Sequence, residues 1–290
     1  MRIAFLGTPA PAVPTLRALV AHGHDVVLVV TRPDKKRGRG GELSPSPVKA
    51  AALELGLNVS HTLKDLYDLD ADLGVVVAYG EMIPGALLAK IPMLNVHFSL
   101  LPRWRGAAPV ERAILSGDKE TGVCVMTLEE ALDIGPVHLE QRIEVGEKTS
   151  NQLLEELSIL GANALCEVVG SEELLKNPAP QVGEATYAEK LSSETFQLKD
   201  TEAATQLARI VRLGRAYTFI GGKRFKVLEA HAIDFQGDPG SITLENGVPA
   251  LVASDGALVL DVVQPEGSKS MAGSQWWHGA RLEPTSAHWG

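Results

Sequence analysis

Four short runs, RIAFLG from Arg2, DVVLVVT from Asp25, DLGVVVAYG from Asp72 and MLNVHFS from Met93, are apolar at nearly every position. A strand with one face in water alternates apolar and polar residues. A strand that does not alternate needs cover on both faces. The segments between these runs supply that cover. PAVPTLRALVAHG sets Leu16, Leu19 and Val20 at helical spacing and stops at Gly23. PVKAAALELG opens on Pro and closes on Gly, and EMIPGALLAK makes a short helical turn. The alternation continues through a helix in APVERAILSGD, strands in TGVCVMTLEE and PVHLEQRIEV, and a long amphipathic helix in TSNQLLEELSILGANALCEVV capped by Thr149 or Ser150. Strands alternating with helices to about residue 170 predict an α/β fold, a doubly wound, mostly parallel sheet.

The composition changes at KNPAPQVGEA, which reads as a linker over 179–198 between a domain at 1–178 and another at 199–290. The last part holds one helix, TEAATQLARIVRLG, and then short strand-like runs, YTFIGG, FKVLEAHAI, SITLEN, PALVAS and ALVLDVVQ, separated by turn signals. That spacing predicts a smaller C-terminal β-barrel, OB-like in character. Two domains suit 290 residues, 45% of them hydrophobic. The net charge of −9 excludes a globally basic nucleic-acid surface, so any such contact must come from a local patch. Cys124 and Cys166 form neither a metal motif nor a disulfide framework. The first apolar run meets Gly and Pro too early for a signal peptide, and no apolar run is long enough to span a bilayer. A cytoplasmic protein, a monomer without membrane contact, is expected.

GTPAP stands where a dinucleotide-binding fold carries G-x-G-x-x-G, but only Gly7 is present and the prolines remove backbone donors. It reads as an ordinary strand–helix turn and counts against an NAD enzyme. His22 and His24 lack a third ligand, and H-E-x-x-H, C-x-x-C and G-x-S-x-G are absent, so no metal site is expected. Asn95 and His97 share one strand face at a strand's carboxyl end, where open α/β sheets line their ligand crevice. Asn offers a fixed donor and His a proton near neutral pH, a pair suited to a carbonyl becoming an oxyanion. Asp133 sits on a turn in EEALDIGPV after another strand. Spacing alone does not bring it to His97; the fold could, since both follow sheet strands. The stretch RPDKKRGRGGELSPSP is a long, basic, Gly-rich loop with Arg32, Lys35, Lys36, Arg37 and Arg39 against Asp34. It is either a solvated charge run or a loop that orders on a polyanion.

Taken together, NVHFSLLPRWRGAAP, FLGTP, TRPDKKRGRGGELSPSPVK, VVVAYGEMIP, TGVCVMTLEEALDIG and TYAEKLS resemble the methionyl-tRNA formyltransferase family over nearly the whole chain. The resemblance implies transfer of a formyl group from 10-formyltetrahydrofolate, as a donor substrate without metal, to the α-amino group of methionyl initiator tRNA. It implies a catalytic trio of Asn95, His97 and Asp133, folate contacts at Ser99, Leu100, Leu101 and Pro102, and acceptor-end contacts from Lys35, Lys36, Arg37 and Arg39. Further tRNA contacts would come from Arg209, Arg212, Arg215, Lys223, Arg224 and Lys226. N-x-H-x-S-L-L-P is also similar to formyltransferases acting on small amines, a glycinamide ribonucleotide or an amino sugar. A non-catalytic tRNA-binding relative is the other alternative. Phe98 departs from the family, which has Gly there; its ring either narrows the pocket or packs into the core. Ile134-Gly135-Pro136 replaces the family's Thr-Gly-Asp.

Overall fold

The computed structural model describes residues 1–37, 41–280 and 288–290, with the backbone alone at Lys36, Arg37 and Glu42. The chain divides into two compact units. The first comprises Met1–Val110, Lys119–Glu144 and Leu153–Glu189; the second comprises Glu111–Asp118, Val145–Gln152 and Lys190–Gly290. No helix among the described residues is long and apolar enough to cross a membrane.

The first unit is built on strands β1 (Arg2–Gly7), β2 (Asp25–Val30), β3 (Lys35–Arg37), β4 (Glu42–Ser44), β5 (Val59–Ser60), β6 (Leu73–Val77), β7 (Met93–His97), β8 (Arg105–Gly106), β9 (Glu120–Thr127), β10 (Val137–Glu144) and β11 (Tyr187–Ala188). Helices α1 (Val13–Ala21), α2 (Pro47–Glu54), α3 (Gly85–Lys90), α4 (Pro109–Ser116), α5 (Ser150–Gly170) and α6 (Glu172–Lys176) follow in chain order, with α4 from Glu111 on and α5 before Leu153 belonging to the second unit. Seven strands form one sheet in the order β10-β9-β7-β6-β1-β2-β5. The pairs from β7 to β5 are parallel, while β9 and β10 add an antiparallel edge. Ile3, Phe5, Val75 and Val77 are wholly buried, as strands covered on both faces require. Leu6, Val30, Leu66, Leu87 and Met93 make one of the cores beside the sheet.

The segment after β2 differs from the loop expected there. Lys35–Arg37 pairs antiparallel with Glu42–Ser44, so Lys35, Lys36 and Arg37 lie on a short strand. Its pairing is made by main-chain groups, which composition does not report. Arg32 is used internally, its Nη2 donating to the Gly80 carbonyl at 2.7 Å. Thr8 links neighbouring strand ends: its hydroxyl donates to the Tyr79 carbonyl at 3.5 Å and accepts from Arg32 N–H at 3.4 Å. GTPAP is thus a turn that ties the carboxyl ends of β1, β2 and β6.

The second unit contains helix α7 (Ala204–Arg212), strands β12 (Tyr217–Ile220), β13 (Lys223–Ile233), β14 (Ile242–Glu245), β15 (Val248–Val252), β16 (Ala257–Pro265) and β17 (Met271–Ala272), and helix α8 (Gly273–Ala280). The strands form an antiparallel half-barrel in the order β12-β13-β16-β15-β14, with β17 on β16. In α7, Ala204, Leu207, Ile210 and Val211 are buried at helical spacing, and they share a core with Phe225, Trp276, Trp277 and Trp289. The final residues join the sheet's two edges. Trp289 bridges to Ile220 at the end of β12, and His288 bridges to Ser241 just before β14. Trp289 N–H donates to Gly240 and Gly290 N–H to Phe219, at 2.9 and 3.2 Å. In the turn before α7, Glu202 has a buried carboxylate oxygen with no hydrogen-bond partner, and burial pushes its acid up.

Candidate active site

β7 presents Asn95 and His97 on one face and Val96 on the other, and Phe98 continues that second face. Phe98 is only 8% exposed. A Cβ built on Gly161 of α5 would lie 3.6 Å from the Phe98 ring and 2.6 Å from a Val96 methyl. The ring therefore packs into the core beside α5 and does not narrow the Asn95–His97 face. Gly161 is the space that lets this face of β7 pack.

Asp133 reaches the trio by an indirect route. β9 runs antiparallel to β7, so its end at Thr127 pairs with Leu94 near the start of β7. The loop between β9 and β10 must return along the sheet, and it does so with Asp133 in the left-handed region at φ 51°. The Asp133 carboxylate is buried. Its Oδ1 accepts from Asn95 Nδ2 at 3.5 Å, its Oδ2 accepts from Gly106 N–H at 2.8 Å, and the same Oδ2 lies 3.6 Å from His97 Nδ1. His97 Nε2 is 2.9 Å from the Trp104 carbonyl. A carbonyl only accepts, so this nitrogen carries the proton and the ring's other nitrogen faces Asp133. Trp104 itself is at φ 62°. The structure thus brings Asn95, His97 and Asp133 into one buried polar cluster at the end of β7.

The segment Ser99–Pro102 is tied down by its own contacts. Ser99 is fully buried and donates to the Arg103 carbonyl at 2.6 Å. Leu101 N–H points at Cys124 Sγ at 3.4 Å, and the Leu101–Pro102 peptide is cis. Leu101 and Pro102 are buried and Leu100 is half-buried. Burial pushes the Cys124 thiol up to about 12, so it stays protonated and unreactive beside the cluster.

Residues that sequence reasoning passed over hold this loop in place. Trp104 N–H donates to Thr186 Oγ1 at 2.9 Å, Arg105 N–H to the Thr186 carbonyl at 2.9 Å, and β8 pairs with β11. Gln181 donates to the carbonyls of Asp133 and Gly135, both at 2.8 Å, and accepts from Arg105. The only sequence signal was TYAEKLS, which covers Thr186 but not Gln181.

The basic residues do not converge in the same way. Lys35 is exposed on β3, whereas the side chains of Lys36 and Arg37 are not among those described and Arg39 lies outside the described residues. Arg209 bonds Gln206 at 3.2 Å. Arg212 is committed internally, donating to Lys148 and Gly146 carbonyls at 2.9 and 2.6 Å and lying 3.6 Å from Glu147. Lys223, Arg224 and Lys226 are exposed along β13, with Arg224 stacked 3.8 Å from the Tyr217 ring centre; Arg215 stacks 4.4 Å from Phe196. Among the described residues no group of His, Cys, Asp and Glu is placed to hold a metal ion.

The comparisons agree with this architecture. Residues 1–169 match the formyl transferase family and residues 190–281 match the formyl transferase C-terminal domain. The chain is thus an enzyme of the formyl transferase class. It is 42% identical to a methionyl-tRNA formyltransferase of Jannaschia sp. (strain CCS1) across 98% of both chains. It is 43% identical to that of Xanthomonas axonopodis pv. citri (strain 306), across 98% of this chain and 99% of that one. The chain belongs to the methionyl-tRNA formyltransferase family. Its fold is shared with WlaRD, a sugar 3N-formyl transferase, at a TM-score of 0.71 and 14% identity over 93% of this chain and 99% of that one. HypX from Aquifex aeolicus, solved with tetrahydrofolic acid, shares it at 0.64 and 17% over 95% of this chain and 46% of that one.

Proposed function

We propose that the protein transfers the formyl group of 10-formyltetrahydrofolate to the α-amino group of methionyl initiator tRNA, and so serves translation initiation in the cytoplasm. The observation that carries this reading is the match to methionyl-tRNA formyltransferases along 98% of the chain, C-terminal domain included. The uncharged amine attacks the formyl carbon and the formyl oxygen becomes an oxyanion. Asn95 donates to that oxygen with the Nδ2 hydrogen that Asp133 does not take, His97 turns its Nε2–H from the Trp104 carbonyl to the same oxygen, and Asp133 holds the Asn95 amide and supports the imidazole electrostatically. The tetrahedral centre then collapses: the C–N10 bond breaks as the proton lost by the attacking amine passes to N10, and tetrahydrofolate leaves neutral. The segment Ser99–Pro102 holds the folate, and its internal contacts keep the donor's orientation from drifting, a large part of such a barrier.

The basic segment of Lys35, Lys36, Arg37 and Arg39 takes the phosphates of the acceptor end. Lys223 and Arg224 on β13, with Arg209, contact the tRNA through the second unit. Arg212 serves that unit from within, by anchoring residues 146–148. The decisive assay mixes the protein with 10-formyltetrahydrofolate and methionyl initiator tRNA and looks for formylmethionine. A parallel reaction offers an amino sugar nucleotide or glycinamide ribonucleotide. Formylation of the small amine and not of the tRNA would reassign the substrate.

A further inference from the structure

We propose that Gln181 is a positioning residue for Asp133. The loop that carries Asp133 has little apolar anchoring of its own, since Leu132 and Ile134 on either side are 52% and 41% exposed. A buried carboxylate between two exposed neighbours needs another hold, and the Gln181 amide supplies one. Its Nε2 donates to the carbonyls of Asp133 and Gly135, both at 2.8 Å, so it closes a clamp on the two peptides around Ile134. Its Oε1 accepts from Arg105 Nε at 3.1 Å and Nη2 at 2.6 Å. Only one orientation of the amide suits these partners, because two carbonyls must face the NH2 and a guanidinium must face the oxygen. The clamp is itself anchored. Two residues upstream, Ala179 exchanges backbone hydrogen bonds with Val137 at 2.8 and 2.7 Å, and Arg105 lies on β8 paired with β11.

The hydrogen-bond partners of Gln181 are Arg105 and the carbonyls of Asp133 and Gly135, so it acts through the backbone of Asp133. Without it, the two carbonyls can bond water and the loop persists, but the carboxylate keeps only Gly106 N–H and Asn95 as holds and drifts from its place opposite His97. Misplacement on the scale of an ångström costs about 100-fold in rate. Loss of the clamp therefore lowers kcat and leaves the substrate KM values nearly alone.

The inference rests on reading Asp133 as part of the transfer site. The test compares Gln181→Ala, Gln181→Glu and the neighbouring control Val182→Ala in formyl transfer to methionyl-tRNA. Both Gln181 variants are expected to lose about 10- to 100-fold in kcat, with KM within about twofold of wild type. The Glu variant decides if the Ala variant does not fold. It keeps the size and the Arg105 acceptor but sets a carboxylate against two carbonyls, so a space-filling role would leave it active. In an Asp133→Asn background, Gln181→Ala should cost no more than about twofold beyond the single variant. Wild-type kcat in Gln181→Glu, or an undiminished effect in the Asp133→Asn background, overturns the inference. If Asp133→Asn itself keeps wild-type kcat, the reading of the site falls with it. If Asp133→Asn loses activity while the Gln181 variants keep theirs, the inference falls alone.

Discussion

His97 and Asp133 are equally buried, at 6% and 5% exposure, yet they are held by opposite means. His97 ends a strand whose other face, Val96 and Phe98, is packed against α5 at Gly161. Asp133 sits between exposed Leu132 and Ile134 in a left-handed turn, its carboxylate accepting from the Gly106 N–H and its carbonyl from the Gln181 side-chain amide. One side of the cluster is therefore set by apolar packing, which tolerates little volume change and resists water. The other is set by polar contacts, whose cost appears when a partner is lost and a group is stranded.

The largest effect should come from removing the donors themselves. Asn95→Ala and His97→Ala are each expected to lower single-turnover formyl transfer by at least about 10²–10³-fold. Both variants should fold, because the apolar face of β7 is untouched; near-wild-type transfer in both would remove the cluster from the reaction. The packed side is tested at Gly161. A methyl there meets Val96 at 2.6 Å, so Gly161→Ala should destabilise the protein by about 1–3 kcal/mol in denaturant titration, shifting the midpoint without changing the slope.

The polar side is tested at Gly106, where φ is 120° and an added Cβ would sit 2.8 Å from the Ala188 carbonyl. Gly106→Ala should cost about 1–3 kcal/mol and also displace the N–H that Asp133 accepts. It should thus lose activity beyond its loss of stability, whereas Gly161→Ala should not. Equal ratios of the two losses would erase the distinction between the two sides.

The smallest effect concerns neither side. Burial raises the Glu202 acid in the folded state, so the unfolded chain ionises at lower pH than the folded one. Stability is therefore lost as pH rises from the unfolded value through the folded one. Glu202→Gln should raise the thermal midpoint by about 1–2 °C at pH 7 and by nothing once both forms are protonated.

The same contrast explains what was legible beforehand. Uniform apolar runs carry their own burial, so β1, β2, β6 and β7 could be read directly, as could the face shared by Asn95 and His97. Asp133 came from resemblance, because its approach depends on a loop returning past an antiparallel strand. Gln181 sits in a Pro- and Gly-containing stretch that reads as linker, and its partners are main-chain carbonyls, to which any residue at those positions contributes alike. Arg212 shows the converse. In the sequence it is one more cation in a basic segment, and nothing in its neighbours reveals that its guanidinium is spent on two carbonyls. Phe98 departs from the family's glycine, yet strand alternation already sends it to the face away from His97.

The closure of the second unit by His288 and Trp289 bears on the order in which that unit assembles. Its hairpins join neighbouring strands and repay their ordering early, whereas the bridges to Ile220 and Ser241 join positions far apart in the chain. Closure should therefore be a late step. Until it happens, β14 and the Ile220 end of β12 expose unpaired edges and the Trp289 indole has no cover, the conditions under which copies of a chain add to one another's sheets. Trp289→Ala should consequently show itself first as aggregation during refolding at high protein concentration, and only weakly in the formyl-transfer rate of the molecules that do close.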